Sequence, residues 1–449
     1  MTRFRSSWVL LLAAATSLFA YLAMLGLHLH HGTLTHAVTP QTIGWYLLAA
    51  AAYVVGVWRV ARHPDRWLVW IWGAAILFRL ALLFTTPTLS DDVYRYLWDG
   101  HVANHGVSPY ALPIEAPELD YLEIPIRKLA NHTWMASPYL PAAQWLFAGV
   151  TRFLPVEPFS MQAAMVVLDL LSALLIMALL RLAAMPTSLV IVYLWNPLVV
   201  VETAHGAHVD AWMIFLTLLA VWLTFGPSQA PHLAAQRNRR SVLDRSRGAS
   251  VGAQLAAPLS LALATLTKLL PGLLLPVLFW RWRWWQLLLY GAATVGLLIP
   301  DGVRAGWGLI GPLDGRGLFA ALRIYGDQWN YNSGLFRWLE LAFASETGLG
   351  LQPDDANSWA KRMAALLLLA TLLYVWIRSR REHDLRALLR LMAIPMAAYL
   401  LLTPTVHPWY ALVVLAFTPF LAPAKTNPPR SGASSCRGSI SASRWSFLI

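Results

Sequence analysis

Apolar runs of membrane-crossing length, separated by short polar or arginine-bearing breaks, follow one another along almost the whole chain. The first, over residues 8–29, follows Arg3 and Arg5 and is longer than a signal-peptide core. No small-x-small cleavage site follows it, so it reads as an anchor. Further runs at 45–58, 67–84, 159–180, 187–201, 209–225, 253–267, 269–280, 284–299, 359–377, 388–402 and 409–421 predict further helices. Backbone polar groups in lipid must be satisfied within a helix, so the pattern predicts an all-α polytopic membrane protein of about 11–12 transmembrane helices. The 253–280 stretch is interrupted by Lys268 and Pro271 and is either one kinked helix or two half-length ones.

Composition agrees: 58% of residues are hydrophobic, 12% charged, and Trp occurs 23 times. A net charge of +12 would point to nucleic acid in a soluble protein, but here the arginines sit in short breaks between apolar runs. The positive-inside rule accounts for them without a nucleic-acid partner. Cys436 is the single cysteine, which excludes an intramolecular disulfide and a cysteine-based metal site.

The arginines also set an orientation. With the N-terminus inside, Arg59, Arg62 and Arg66, then Arg181, then Arg237 to Arg247, then Arg281 and Arg283, and finally Arg378 to Arg386 are cytoplasmic. The opposite face then carries residues 85–158 as a large first loop with short helices, together with 202–210, 301–358 and 403–409. Residues 1–422 form one integral-membrane domain, with 227–252 as a cytoplasmic loop. The Ser- and Pro-rich stretch 423–449 reads as a disordered or truncated tail. No internal repeat argues for the inverted halves of a transporter.

The first polar break carries the densest chemistry: Ser90-Asp91-Asp92-Val93-Tyr94-Arg95-Tyr96-Leu97-Trp98-Asp99-Gly100. Ser90 is a good N-cap, and acids in the first turn suit the helix dipole. On that helix Asp92, Tyr96 and Asp99 share a face, while Asp91 lies one turn before Arg95 and is spaced to pair with it. The bland reading is a well-capped helix. Against it stands Arg79 inside the preceding apolar run, where a cation is costly and usually functional.

The run from Leu80 through Pro87, the Ser90-Asp91-Asp92 motif and His101 to Tyr110 resembles the first external loop of bacterial GT-C glycosyltransferases. The subgroup it most resembles is the polyprenyl-phosphate-mannose-dependent mannosyltransferase-like membrane proteins. Trp195-Asn196-Pro197 followed by Gly206-Ala207-His208-Val209-Asp210, then Trp329-Asn330-Tyr331-Asn332-Ser333-Gly334, then Thr403-Pro404-Thr405-Val406-His407-Pro408-Trp409-Tyr410 follow in the order of that group. Where related chains often have Tyr-Pro-Pro before a Gln, this one has Tyr139-Leu140-Pro141-Ala142-Ala143-Gln144.

The resemblance implies a GT-C-like bundle that moves a hexose, in the first instance mannose. The donor is a polyprenyl-phosphate sugar, the acceptor a lipid or glycan, the site the external or periplasmic face of the plasma (inner) membrane. Such a reaction needs a carboxylate base and cations for the departing phosphate. By resemblance the first acid of the pair, Asp91, is the base; the helical-face argument gives Asp92 a rival claim. Candidates at the phosphate are Arg79, Arg95, Lys268 and His407, and Tyr96, Asp99, His208, Asp210 and Asn332 are candidate substrate contacts.

Each candidate has a structural alternative. Lys268 can snorkel to the interface, and His407 with Trp409 and Tyr410 can form an aromatic belt. His205, His208 and Asp210 either hold a divalent cation, the one cofactor the sequence offers, or make acceptor or structural hydrogen bonds. Asp169, inside the 159–180 run, is either the buried partner of a cation such as Arg79 or part of a cavity wall. The rival function is a transporter or lipid flippase, which explains Arg79, Asp169 and Lys268 but not a large loop opening on two acids.

Overall fold

A computed structural model describes residues 2–64, 67–226, 250–309, 315–344 and 348–422. The expected loop at 227–252 lies almost wholly outside them, and the expected tail at 423–449 entirely so. The described residues fold as an all-α polytopic membrane protein, with one isolated bridge, Tyr331 to Thr405, as their only β-pairing.

Three apolar helices open the chain: α1 (Thr2–His31), α2 (Thr39–Arg62) and α3 (Leu68–Leu83). After α4 (Asp92–Asn104) and α5 (Pro141–Phe153), α6 (Pro158–Leu182) crosses back. Among the described residues, six helices are long and apolar enough to span a bilayer, and four shorter apolar ones, of 10–17 residues, pack among them. The expected span at 187–201 is instead a bent pair, Thr187–Leu194 and Pro197–His205, meeting at 64°. Pro197 has no N–H to continue the first helix, and the Asn196 side chain accepts from Leu198 N at 3.0 Å to start the second. The 253–280 stretch resolves in the same way. Helix Val251–Thr265 ends at Leu266, and short helical turns at Leu270–Leu274 and Leu275–Leu278 follow Lys268.

The largest apolar core joins α1, α3, α6, the bent pair and helix Asp210–Phe225. Arg79 is buried inside it, 1% exposed, and is ion-paired with Asp169 of α6. It also donates to the carbonyls of Ala75 and Leu194, each at 3.0 Å. Of the two readings of Asp169, the structure therefore has the buried pair. Removing one member strands a charge in a medium that cannot hydrate it, at a cost of about 3–5 kcal/mol. Arg79→Leu is expected to lower the unfolding temperature in detergent, and Arg79→Leu with Asp169→Leu to recover much of the loss. A normal unfolding temperature in the single variant contradicts this assignment.

Residues 85–157 fold over one end of the bundle around a second core of Val93, Tyr96, Trp98, Phe147, Met161 and Met165. α4 and α5 approach so closely that a Cβ at Gly100 would lie 2.4 Å from the Phe147 carbonyl oxygen. Arg127 ties the intervening turns together by donating to the Ile114 and Ala116 carbonyls and to Asp120 and Glu123.

The two ends of the bundle differ in charge. Gln162, at the start of α6, donates to the Thr85 carbonyl just beyond α3, so residues 85–92 lie at the end of the bundle where α3 finishes and α6 begins. Arg62, before α3, and Arg181, at the end of α6, lie at the other. Arg386 reaches the Ala184 carbonyl, Arg390 the Phe420 carbonyl and Arg281 the Ser379 carbonyl, so these five arginines share that opposite rim.

Candidate active site

Beneath the 85–157 segment lies a cavity of about 800 Å³. Asp91, Asp92, Lys268, Asn332 and His407 line it, contributed by four separate stretches of chain. Lining residues outside the candidate set include Asn131, His132, Glu202, Tyr325, Trp329, Tyr331, Trp409 and Tyr410.

The two acids are held as a pair. Asn131 Nδ2 donates to Asp91 Oδ1 at 2.9 Å and to Asp92 Oδ1 at 2.8 Å. Asp91 is exposed, whereas the Asp92 side chain is 16% exposed and sits deeper. Its Oδ2 lies 3.5 Å from the Tyr96 hydroxyl and 3.8 Å from His208 Nδ1. The helix-face expectation thus brings Asp92 and Tyr96 together.

Arg95 takes a different partner from the expected Asp91. Its Nε donates to Asp99 at 3.0 Å, and its other nitrogens hold the carbonyls of Asn131, His132 and Met135. Asp91 and Asp99 are both four residues from Arg95, and the buried turn at 131–135 decides between them. Asp99 in turn accepts from Ser137 and from Gln144 Nε2. Arg95 and Asp99 are buried behind the cavity wall, and Arg79 lies in the apolar core of the bundle. The expected phosphate contacts from these two arginines therefore have no path to the cavity; both cations are spent on positioning backbone and neighbouring carboxylates.

Lys268 does reach the cavity. Its Nζ lies 2.6 Å from Asp210 Oδ2 and 5.0 Å from the centre of the Tyr410 ring. Asp210, 1% exposed, is the partner of that lysine rather than a lining residue. Among the described lining residues the acids are Asp91, Asp92 and Glu202, and Lys268 is the single Lys or Arg.

The two later motifs are stapled to each other. Tyr331 N donates to the Pro404 carbonyl and Val406 N to the Tyr331 carbonyl, so the Asn332 turn sits beside the segment leading to His407. Tyr331 Oη lies 2.6 Å from His407 Nδ1. Burial lowers the His407 pKa to about 4, with Lys268 adding to the effect and Asp92 opposing it, so the ring is neutral at pH 7. Burial also lowers the pKa of His132, and burial with the Asp92 charge raises that of Tyr331. Asn332 and His132 adopt φ of 55° and 46°, a left-handed conformation that strains a residue with a Cβ and clusters at functional sites.

His205, His208 and Asp210 do not converge. Among the described residues, no three His, Cys, Asp or Glu side chains are grouped to hold a metal ion. His205 docks the stretch leading into the acidic pair, with Nδ1 at 2.6 Å from Thr85 Oγ1 and Nε2 accepting from Thr88 N at 3.1 Å. His28 accepts from Thr86 N in the same way. His208 points elsewhere and stacks on Trp409 with ring centres 3.8 Å apart.

Glu202 was missed as a site residue although a signal was there: an acid five residues after Pro197, in an apolar stretch, is itself costly. Asn131 and His132 carry no local signal in the sequence. Arg95 holds their backbone carbonyls beside the cavity.

Residues 6–284 match the family described as alpha-(1->6)-mannopyranosyltransferase, N-terminal domain, and residues 339–430 match the MptB C-terminal domain. The chain is similar to alpha-(1->6)-mannopyranosyltransferase A of Mycobacterium tuberculosis (strain ATCC 25618 / H37Rv), with 28% identity over 384 residues. That alignment covers 79% of this chain and 65% of the relative, so the chain spans a little under two thirds of the relative's length. No solved structure matches.

Proposed function

Because this chain belongs to the MptA/B family of alpha-(1->6)-mannopyranosyltransferases, we propose that it transfers mannose from a polyprenyl-phosphate carrier to a glycan or lipid acceptor, forming an α-1,6 linkage. The observation that carries the reading is the cavity itself. It gathers the acidic pair, a lysine and a histidine from separate parts of the chain, at the end of the bundle away from the arginine rim.

In the reaction the acceptor oxygen bonds to the sugar C1 as the bond from C1 to the phosphate oxygen breaks. The acceptor proton goes to a carboxylate, and the bond pair leaves with the phosphate. Asp92 is the better base on geometry: it lies deeper than Asp91, and Asn131 orients both. The Lys268 ammonium, His407 and the hydroxyls of Tyr325, Tyr331 and Tyr410 are the groups available to the phosphate. Trp329 and Trp409 offer apolar faces against which a hexose ring can lie.

A lipid-linked donor suits a site on the external or periplasmic face, where nucleotide sugars are not available, and the positive-inside rule supports that orientation. In a Cys436→Ser background, Glu118→Cys, exposed in the 85–157 segment, is expected to react with an impermeant thiol reagent in intact spheroplasts. His383→Cys, exposed at the arginine rim, is expected to react only after lysis. The reverse pattern would overturn the orientation. Membranes supplied with radiolabelled polyprenyl-phosphate mannose or glucose test the donor: the acceptor gains label from mannose, and label from glucose alone would reassign the sugar.

A further inference from the structure

His208 is fully buried behind the cavity wall, with a different carboxylate nearest each of its imidazole nitrogens. Nε2 is 3.0 Å from Glu202 Oε2 and Nδ1 is 3.8 Å from Asp92 Oδ2. Neither nitrogen has an aligned hydrogen bond in this state, an expensive condition for a buried imidazole.

The local backbone is shaped to produce this arrangement. Residues Val201–His205 form a π-helical turn, a feature that tends to mark functional sites. The chain then reverses so that His208 N donates to the Glu202 carbonyl at 3.0 Å. That reversal puts Ala207 at φ 54°, strained for a residue with a Cβ, and leaves Gly206 no space for one, since it would lie 2.8 Å from His208 Cδ2. Trp409 covers the imidazole face and carries His407 on its other side, with those ring centres 4.4 Å apart.

Resting on the transferase reading, we propose that Glu202 is a positioning residue that fixes the tautomer of His208 so that Nδ1 accepts a hydrogen bond from Asp92 once Asp92 has gained the acceptor proton. A neutral imidazole carries one N–H. The nearer carboxylate, Glu202, draws it to Nε2 and leaves the Nδ1 lone pair facing Asp92. Two negative surfaces then oppose each other, and the 3.8 Å gap stays open. Once Asp92 takes the acceptor proton, its O–H donates to Nδ1 and the gap closes. The interaction forms as the proton is transferred, which is where it favours the transition state over the ground state. The opposite tautomer would donate to ionised Asp92 and weaken it as a base.

The test uses the full chain in nanodiscs with ¹⁵N-labelled histidine, the His208 signals being assigned by their loss in His208→Gln. The Nε2–H tautomer is expected in the wild type, with a shift toward Nδ1–H in Glu202→Gln. In the mannose-transfer assay Glu202→Gln is expected to lower kcat by about 10–100-fold with KM unchanged. The double variant with His208→Gln is expected to be no worse than His208→Gln alone. Gly206→Ala, which presses on the ring at Cδ2, supplies a second route to the same tautomer change if Glu202→Gln fails to fold. A wild-type Nδ1–H tautomer, a tautomer indifferent to both variants, or additive losses in the double variant would overturn the proposal. An inactive wild type would count against the transferase reading, while the tautomer measurement still decides the role of Glu202.

Discussion

Asp92→Asn is expected to reduce mannose transfer by about 10²–10⁴-fold while the protein inserts and unfolds as the wild type does. The amide keeps the Oδ1 that accepts from Asn131 and the shape that packs beside Tyr96, so little structure is lost. What is lost is the carboxylate assigned to take the proton from the acceptor hydroxyl. Asp91→Asn is expected to be milder, because Asp91 is exposed and shares only the Asn131 contact. Kinetics on the two purified variants separate them. Full loss in Asp91→Asn with near-normal turnover in Asp92→Asn would return the base to the first acid.

Lys268→Gln is expected to lower kcat by about 10²-fold or more, with a smaller effect on acceptor KM. A departing phosphate gains charge in the transition state, and among the described lining residues Lys268 is the one fixed cation. The single variant also strands the buried Asp210 carboxylate, which destabilises by another route. Lys268→Gln with Asp210→Asn separates the effects: the double variant is expected to regain thermal stability and remain slow. Recovered turnover in the double variant would mean that the lysine serves only to neutralise Asp210.

The membrane fold was legible because lipid leaves few options. Apolar runs near 8–29, 45–58, 159–180 and 359–377 can only be helices, and they are. The breaks were less legible: Pro197 and Asn196 turn an apparently continuous run into two helices, and proline alone does not fix a bend of 64°. Within the site, Asp92 and Tyr96 came from helical spacing and Lys268 from the cost of a charge in an apolar stretch. Arg79 obeyed the same cost rule with a different outcome, because its partner Asp169 is 90 residues away and no spacing rule connects them. Arg95 had acids four residues away on both sides, a tie that only the tertiary turn at 131–135 breaks. His205, His208 and Asp210 were close enough in sequence to be offered as one cation-binding set. The π-helical turn and Ala207 separate the two histidines, one to the loop before the acids and one to Glu202.

The pairing of cavity and chemistry is tested most directly by reacting the purified wild-type protein with polyprenyl-phosphate [¹⁴C]mannose and an α-1,6-linked oligomannoside in liposomes. Each new glycosidic bond is counted against polyprenyl phosphate released, and the linkage is read by NMR. One polyprenyl phosphate is expected for each mannose added, all α-1,6, with both products reduced together in Asp92→Asn. Movement of the lipid across the bilayer without any new glycosidic bond would contradict it and identify a flippase instead.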